Sequence, residues 1–146
     1  MVASEWLERG KAAHSPIEAF SDFWRGFNNL YGHGRASEID RIKGYLSARI
    51  PPDIASQIIS TYPEQVAYLL SQPVIDMRGN GRDTATAIAA FQATTNQLDQ
   101  LRELLVIIYQ VRCNLQHGQK SPTVYRDLYL CECSAPIVAA VVAHSV

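Results

Sequence analysis

Four polar side chains stand close together near the end of an otherwise apolar helical segment. Residues 109–118 read Tyr-Gln-Val-Arg-Cys-Asn-Leu-Gln-His-Gly, and the strongly polar members are Arg112, Asn114, Gln116 and His117. An arginine guanidinium can bind a phosphate through two hydrogen bonds, and a histidine exchanges protons near neutral pH. This combination suits proton transfer at a phosphate group whose developing charge is stabilised by a fixed cation.

The spacing of these residues limits how they can act together. At roughly 100° per residue, Arg112 and His117 lie roughly 140° apart on a regular helix, so one straight helix does not aim both at one point. Loosening of the helix just before Gly118 is one remedy. A two-fold axis that brings two such helix ends together is the other, because both residues of both chains then line one cleft.

This segment resembles the HEPN family of helical domains, whose signature is an arginine, four to six residues and a histidine near the end of a long helix. Arg112 and His117 fit with four residues between them, and Asn114 is the polar residue often found there. Residues 23–31, Phe-Trp-Arg-Gly-Phe-Asn-Asn-Leu-Tyr, are similar to the first major helix of many HEPN domains. By order and spacing, the resemblance extends over residues 15–146.

The resemblance implies a homodimer whose composite site cleaves RNA endonucleolytically, without a metal or other cofactor, by attack of the ribose 2′-OH. His117 would be the general base or acid, Arg112 would hold the scissile phosphate, and Asn114 would orient the backbone or His117. A toxin or defence effector with a cognate antitoxin or regulatory protein is the expected setting. The alternative is a non-catalytic HEPN-like module that dimerises or binds a partner protein through the same helix end.

One position departs from the family. In HEPN toxins silenced by nucleotidyltransferase antitoxins, the motif histidine is followed by any residue and then by the tyrosine that is modified. That position is Gln119 in this chain, and Tyr125 lies too far along to replace it. Regulation by that route is therefore not expected, whereas the cleavage chemistry is unaffected.

Three further basic residues are candidates for contact with the RNA backbone. Arg78 and Arg82 flank the sequence Gly-Asn-Gly in the clearest loop of the chain, and Lys120 follows the motif. For the loop arginines the alternative is an ordinary exposed loop.

The motif itself also has a purely structural interpretation. His117 would then cap the helix, and Arg112 would pair with Glu103 or Asp127. The aromatic stripe of residues 20–31 is expected to be core rather than a platform for stacking bases.

Cysteines and carboxylates give little support to a metal site. Cys131 and Cys133 lack a second pair and a suitably spaced histidine, so together with Cys113 they are expected to be buried free thiols. Near the motif, Asp99 and Glu103 lie turns back along the helix, and no cluster is fit to hold Mg²⁺. The odd cysteine count fits a reducing compartment.

Composition excludes several classes of protein. Thirteen basic and fourteen acidic residues nearly cancel, which disfavours non-specific coating of duplex DNA but allows a small phosphate site. The chain is 47% hydrophobic and 18% charged, too apolar for disorder. The most apolar stretch, residues 137–142, is too short to span a membrane, and the first residues do not resemble a secretory signal. We therefore expect a cytoplasmic protein without a membrane segment.

Hydrophobic residues recur with a helical period nearly everywhere, which predicts an all-α, up-and-down bundle of four to six helices. The bundle is expected to be HEPN-like and to form one domain over residues 1–146. Residues 1–14 are either part of the bundle or an N-terminal segment loosely attached to it. Helix starts are predicted at Ser15, Ser37, Asp53, Pro63 and Asp83. The helix after Asp83 is expected to run to about His117 with a kink or break at residues 93–96. The last helical region, after Pro122, is expected to be kinked or divided at Pro136, with Ser134 as a new cap.

Overall fold

The computed structural model describes residues 1–117 and 125–146. Eight helices form in these two ranges, and an isolated antiparallel bridge between Ile75 and Asp83 is the sole β-type pairing there. The helices are α1 (Ala3–Lys11), α2 (Pro16–Tyr31), α3 (Glu38–Arg49), α4 (Pro52–Thr61), α5 (Pro63–Ser71), α6 (Ala85–Gln92), α7 (Gln97–His117) and α8 (Tyr125–Ser145). The all-α prediction is confirmed, and the count of four to six helices is wrong. α1 was not predicted, and the helix expected after Asp83 is two helices.

Helix α2 begins as predicted. The Ser15 hydroxyl accepts a hydrogen bond from the Glu18 amide at 3.1 Å, Pro16 occupies the first helical position, and Gly32 ends the helix with a φ of 69°. α2 packs along α8 and α1. Its aromatic stripe is core, as expected; the largest fully buried members are Phe20, Trp24 and Phe27.

Two glycines let α1 pack tightly against α2. A Cβ at Gly10 would lie 2.4 Å from the ring of Phe23, and a Cβ at Gly26 would lie 3.2 Å from the Ala3 carbonyl oxygen. Ala3 and Leu7 are buried in the core as a result. Loose attachment therefore does not describe α1, which is an integral part of the bundle.

The next helices follow the predicted start and stop signals with one correction. The Ser37 hydroxyl caps α3 by accepting from the Asp40 amide at 3.1 Å, and α3 ends at Arg49 before two prolines. Asp53 was predicted to cap α4. The cap is instead Pro51, and Asp53 lies in the first turn, where its charge favours the positive end of the helix dipole.

The break between α6 and α7 falls where it was predicted. α6 ends at Gln92 and α7 begins at Gln97. Within the connection, the Asn96 side chain accepts from the Asp99 amide at 3.0 Å and the Thr94 hydroxyl accepts from the Asn96 amide at 3.1 Å. These side chains replace helical backbone bonds and so stop one helix and cap the next.

Helix α8 continues through Pro136, so the predicted division is wrong. Ser134 lies inside the helix and is fully buried rather than acting as a cap. An interior proline costs about 3 kcal/mol. Four fully buried side chains beyond it each contribute about 1.5–3 kcal/mol, which outweighs that cost. They are Ile137, Val138, Val141 and Val142.

By length and composition, α8 could also cross a membrane, with 21 residues and a mean hydropathy of 1.4 over an 18-residue window. No membrane segment was predicted, because α8 contains no uninterrupted apolar run of sufficient length. Half of the window is buried inside the bundle, and core helices of soluble proteins meet the same criteria. The helix is thus weak evidence for a membrane segment, and the fold is compatible with a soluble protein.

Candidate functional site

Arg112 lies in the last turns of α7 with a partly exposed side chain. Its guanidinium donates to the side-chain oxygen of Gln116, one turn further along. Among the described residues no carboxylate pairs with it. Glu103, one of the two expected partners, accepts instead from the Lys43 ammonium at 3.2 Å. The interpretation of Arg112 as a structural ion-pair partner of Glu103 or Asp127 is therefore wrong for the described part of the chain.

A small cleft between α2 and α7 receives the Arg112 side chain. We call it the Arg112 cleft; its volume is about 290 Å³ and it is lined by Ser21, Arg25, Arg112, Leu115 and Gln116. Of the described residues that line it, two are arginines and none is acidic. An anion is the complementary ligand for such a lining.

His117 lines a different and larger cleft. The His117 cleft, about 560 Å³ in volume, lies between α3, α6, α7 and the loop of residues 76–84. His117 is exposed there, and its side chain makes no hydrogen bond with any residue in the two described ranges. The other basic side chains in the lining are Lys43, Arg78 and Arg82, and the carboxylates are those of Glu38, Asp76, Asp83 and Glu103.

On one chain, therefore, Arg112 and His117 do not share a cleft. Gln116 borders both clefts and separates them. This agrees with the angle of roughly 140° that five residues of regular helix place between the two side chains.

Asn114 lines neither of these clefts, because its side chain holds the chain segment before the loop against α7. It is 9% exposed. Its amide nitrogen donates to the Ile75 carbonyl at 2.9 Å, and its amide oxygen accepts from the Met77 amide at 3.1 Å and from the Gln110 side chain at 2.9 Å. Both acceptor positions of the oxygen are thus occupied. In the described chain, Asn114 is a positioning residue for the loop.

The predicted RNA-binding arginines differ in their surroundings. Arg78 makes a two-pronged ion pair with Asp76, with Nη2 to Oδ2 at 2.7 Å and Nε to Oδ1 at 3.1 Å. Asp76 is buried and also accepts from the Asn80 side chain at 3.1 Å. These bonds close the loop, and Arg78 holds the pKa of the Asp76 carboxyl well below its usual range. Arg78 is therefore engaged in the structure of the loop.

Arg82 has no such engagement in the described structure, where its side chain lines the His117 cleft. Gly79 and Gly81, with φ of 73° and 77°, make the turn that precedes it. The third predicted residue, Lys120, lies outside the described residues, as does Gln119.

A partly buried carboxylate–tyrosine cluster, not predicted from the sequence, lies at the edge of the His117 cleft. Glu38 accepts hydrogen bonds from the Tyr31 hydroxyl at 2.5 Å and from the Tyr109 hydroxyl at 3.0 Å. Burial, together with the Glu38 charge, raises the pKa of both tyrosines, which stay protonated at neutral pH. No spacing signal could have found it, because Tyr109 lies 71 residues from Glu38.

The cysteines are free thiols, with Cys131 and Cys133 buried and Cys113 partly exposed. Burial raises the pKa of Cys131 to about 12, so this thiol is not a reactive thiolate near neutral pH. In the described residues, no group of three or more His, Cys, Asp or Glu side chains is arranged to hold a metal ion.

The described chain is thus all-helical, and its helix α7 ends between two polar clefts. Comparison with models of protein families, with curated proteins and with solved structures gave no match for this chain.

Proposed function

We propose that this protein is a metal-independent RNA endonuclease of the HEPN type, with a site composed of Arg112 and His117 from two copies of the chain. One observation carries the proposal. At the end of α7, an arginine without a carboxylate partner in the described structure lines a cleft whose described lining has no acidic side chain, five residues before an exposed histidine. A guanidinium that no carboxylate occupies keeps its N–H donors available for an anion.

The chemistry assigns one task to each group. The imidazole of His117 removes the proton of the ribose 2′-OH, whose oxygen attacks the adjacent phosphorus. The bond from phosphorus to the 5′-oxygen breaks, and that oxygen takes up a proton from the solvent. Arg112 neutralises the charge that develops on the non-bridging oxygens. The products are a 2′,3′-cyclic phosphate and a 5′-hydroxyl.

The second copy is required because Arg112 and His117 of one chain line different clefts. Across a two-fold axis, the Arg112 cleft of one chain can face the exposed imidazole of the other. Asn114 takes no direct part in this scheme. It fixes the loop that forms one wall of the His117 cleft, so that its contribution is to position that wall.

A second candidate is a non-catalytic module that dimerises or binds a partner protein through the end of α7. The observation that favours it is the same separation of Arg112 from His117, together with the use of Asn114 as a structural residue. In that case the clefts at the helix end are recognition surfaces, and no bond is broken.

Cleavage of labelled single-stranded RNA in excess EDTA distinguishes the two. We expect the wild type to leave cyclic phosphate ends. We expect His117→Ala and Arg112→Ala each to reduce the cleavage rate by at least about 100-fold, because one removes an acid–base group and the other a donor that stabilises charge. His33→Ala and Arg35→Ala are matched controls, since both residues are exposed. A wild type that is inert on varied RNAs, while its variants still fold and bind a partner, supports the interaction module.

The proposed setting is the cytoplasm, where an RNA-cleaving toxin or defence effector meets its substrate and a cognate antitoxin or regulatory protein. Expression in a bacterial host tests this setting. Wild type is expected to arrest growth, and His117→Ala is expected to be harmless at the same protein level. Equal toxicity of both would contradict an RNA-cleaving toxin.

A further inference from the structure

The Arg112 cleft holds a second arginine that the motif does not include. Arg25 projects from α2 into the same cleft as Arg112 on α7. The remaining polar side chains of the lining are the hydroxyl of Ser21 and the amide of Gln116, both of which can donate hydrogen bonds. The described lining therefore offers two guanidinium groups and two neutral donors to whatever occupies the cleft.

Arg25 is held in place by two neighbours. Its Nη1 donates to Asp22 Oδ1 at 3.2 Å, and its guanidinium carbon lies 5.1 Å from the centre of the Trp6 ring. Asp22 is 7% exposed, whereas the Arg25 side chain is 55% exposed. The carboxylate thus anchors the arginine from the buried side and leaves much of the guanidinium open.

Asp22 does not cancel the positive charge of this region. The same carboxylate lies 3.8 Å from Nε of Arg9, whose guanidinium carbon is 5.5 Å from the Trp6 ring centre. One buried carboxylate therefore serves both Arg9 and Arg25. Arg112 has no carboxylate partner in the described structure, so positive charge is in excess around the cleft.

The arrangement depends on the close packing of α1 on α2. Trp6 reaches Arg25 because Gly26 brings the two helices together; a Cβ on Gly26 would lie 3.2 Å from the Trp6 Cβ. The fold thus fixes the relative positions of Trp6 on α1, Arg25 on α2 and Arg112 on α7. Such preorganisation reduces the entropy cost of binding a ligand.

We infer that the Arg112 cleft is a phosphate-binding subsite in which Arg25 and Arg112 together bind a phosphodiester of single-stranded RNA. Two arginines from different helices match the charge and the oxygens of a phosphate, and arginine is well suited to paired hydrogen bonds with it. The cleft is at the small end of the range for ligand pockets, about 300–1,000 Å³. That size fits one phosphate and its adjoining sugar. The identity of the ligand as RNA rests on the proposed function.

Binding of a short, fluorescein-labelled 2′-O-methyl oligouridylate tests the inference without any cleavage, because this probe keeps the phosphates and lacks the attacking hydroxyl. The wild type is expected to bind it. Arg25→Gln is expected to weaken binding about 5- to 10-fold and to lower the slope of log affinity against log salt by about 0.7, the value for one phosphate contact to a single strand. Arg35→Gln, an exposed arginine in a loop, is the matched control and should stay within about two-fold.

Arg25→Lys keeps the charge and guards against loss of folding in the first variant. It is expected to retain the salt slope while losing part of the affinity, because lysine cannot form the paired hydrogen bonds. Unchanged affinity and slope in Arg25→Gln would overturn the inference even if the wild type cleaves RNA. Binding of an acidic peptide through Arg25, with no binding of the oligonucleotide, would also overturn it. Arg25-dependent binding of the probe by a protein that cuts no RNA would support the subsite and contradict the proposed nuclease.

Discussion

Arg112 and His117 lie five residues apart on one helix and line different clefts, with the side chain of Gln116 between them. The separation follows from helix geometry alone. Any reaction that needs both groups at one phosphate therefore needs a second copy of the chain.

Replacement of Asn114 separates a structural role from a catalytic one. Asn114→Ala leaves the Ile75 carbonyl and the Met77 amide without their partner, and we expect the free energy of unfolding to fall by about 1–3 kcal/mol. Urea denaturation measures this loss, with Gln92→Ala, at an exposed position, as the control. Unchanged stability combined with abolished RNA cleavage would instead make Asn114 a catalytic residue.

The ion pair between Asp76 and Arg78 predicts a dependence of stability on pH. Because the folded-state pKa of Asp76 is depressed, its contribution is fully present above the ordinary carboxyl pKa of 3.8 and is lost as the pH falls from there through the folded-state value. Asp76→Asn should therefore lower the thermal midpoint at pH 7 and lower it less at pH 3.

Glu132→Gln, an exposed carboxyl on α8, provides the control for that comparison, because no ion pair involves Glu132 in the described residues. Its effect should be small at both pH values. An equal loss at pH 7 and pH 3 for Asp76→Asn would show that the carboxylate charge does not stabilise the loop.

Replacement of glycine by alanine should change the free energy of unfolding in opposite directions at two positions with different surroundings. Gly10→Ala brings a Cβ to 2.4 Å from the Phe23 ring, and we expect a net loss of about 1–3 kcal/mol in the free energy of unfolding. Gly44, inside α3, has no atom within 4 Å of its added Cβ, so Gly44→Ala should stabilise by about 0.5–1 kcal/mol. Chemical denaturation of both variants measures these changes, and equal stabilisation would contradict the close packing of α1 on α2.

Local features of the fold could be predicted because they depend on near neighbours in sequence. The caps at Ser15 and Ser37 and the break at residues 93–96 arise from side chains that bond to backbone a few residues away. The stop at Gly32 arises from its positive φ, which glycine adopts readily. α1 was missed because its place depends on the fit of a glycine against Phe23, which no periodicity reveals. The division predicted at Pro136 was wrong because burial of the residues after it outweighs the cost of a proline inside a helix.

The candidate site was harder to predict, because its contacts join distant parts of the chain. Asn114 was assigned to the site on the family resemblance, yet its amide bonds to Ile75, 39 residues away. Arg25 lay within a stretch noted for its aromatic residues, and only the tertiary fold places it in a cleft with Arg112. Such placement follows from tertiary structure and leaves no mark in local spacing.

A complementation assay tests the composite site most directly. If Arg112 of one chain acts with His117 of the other, a mixed dimer of Arg112→Ala and His117→Ala chains holds one intact site. The two inactive variants are co-expressed, and RNA cleavage is measured in excess EDTA. About a quarter of the wild-type activity should return, because half of the dimers are mixed and each mixed dimer keeps one of its two sites. A mixture as inactive as either variant alone, with an active wild type and mixed dimers shown by differential tags, would contradict the shared site.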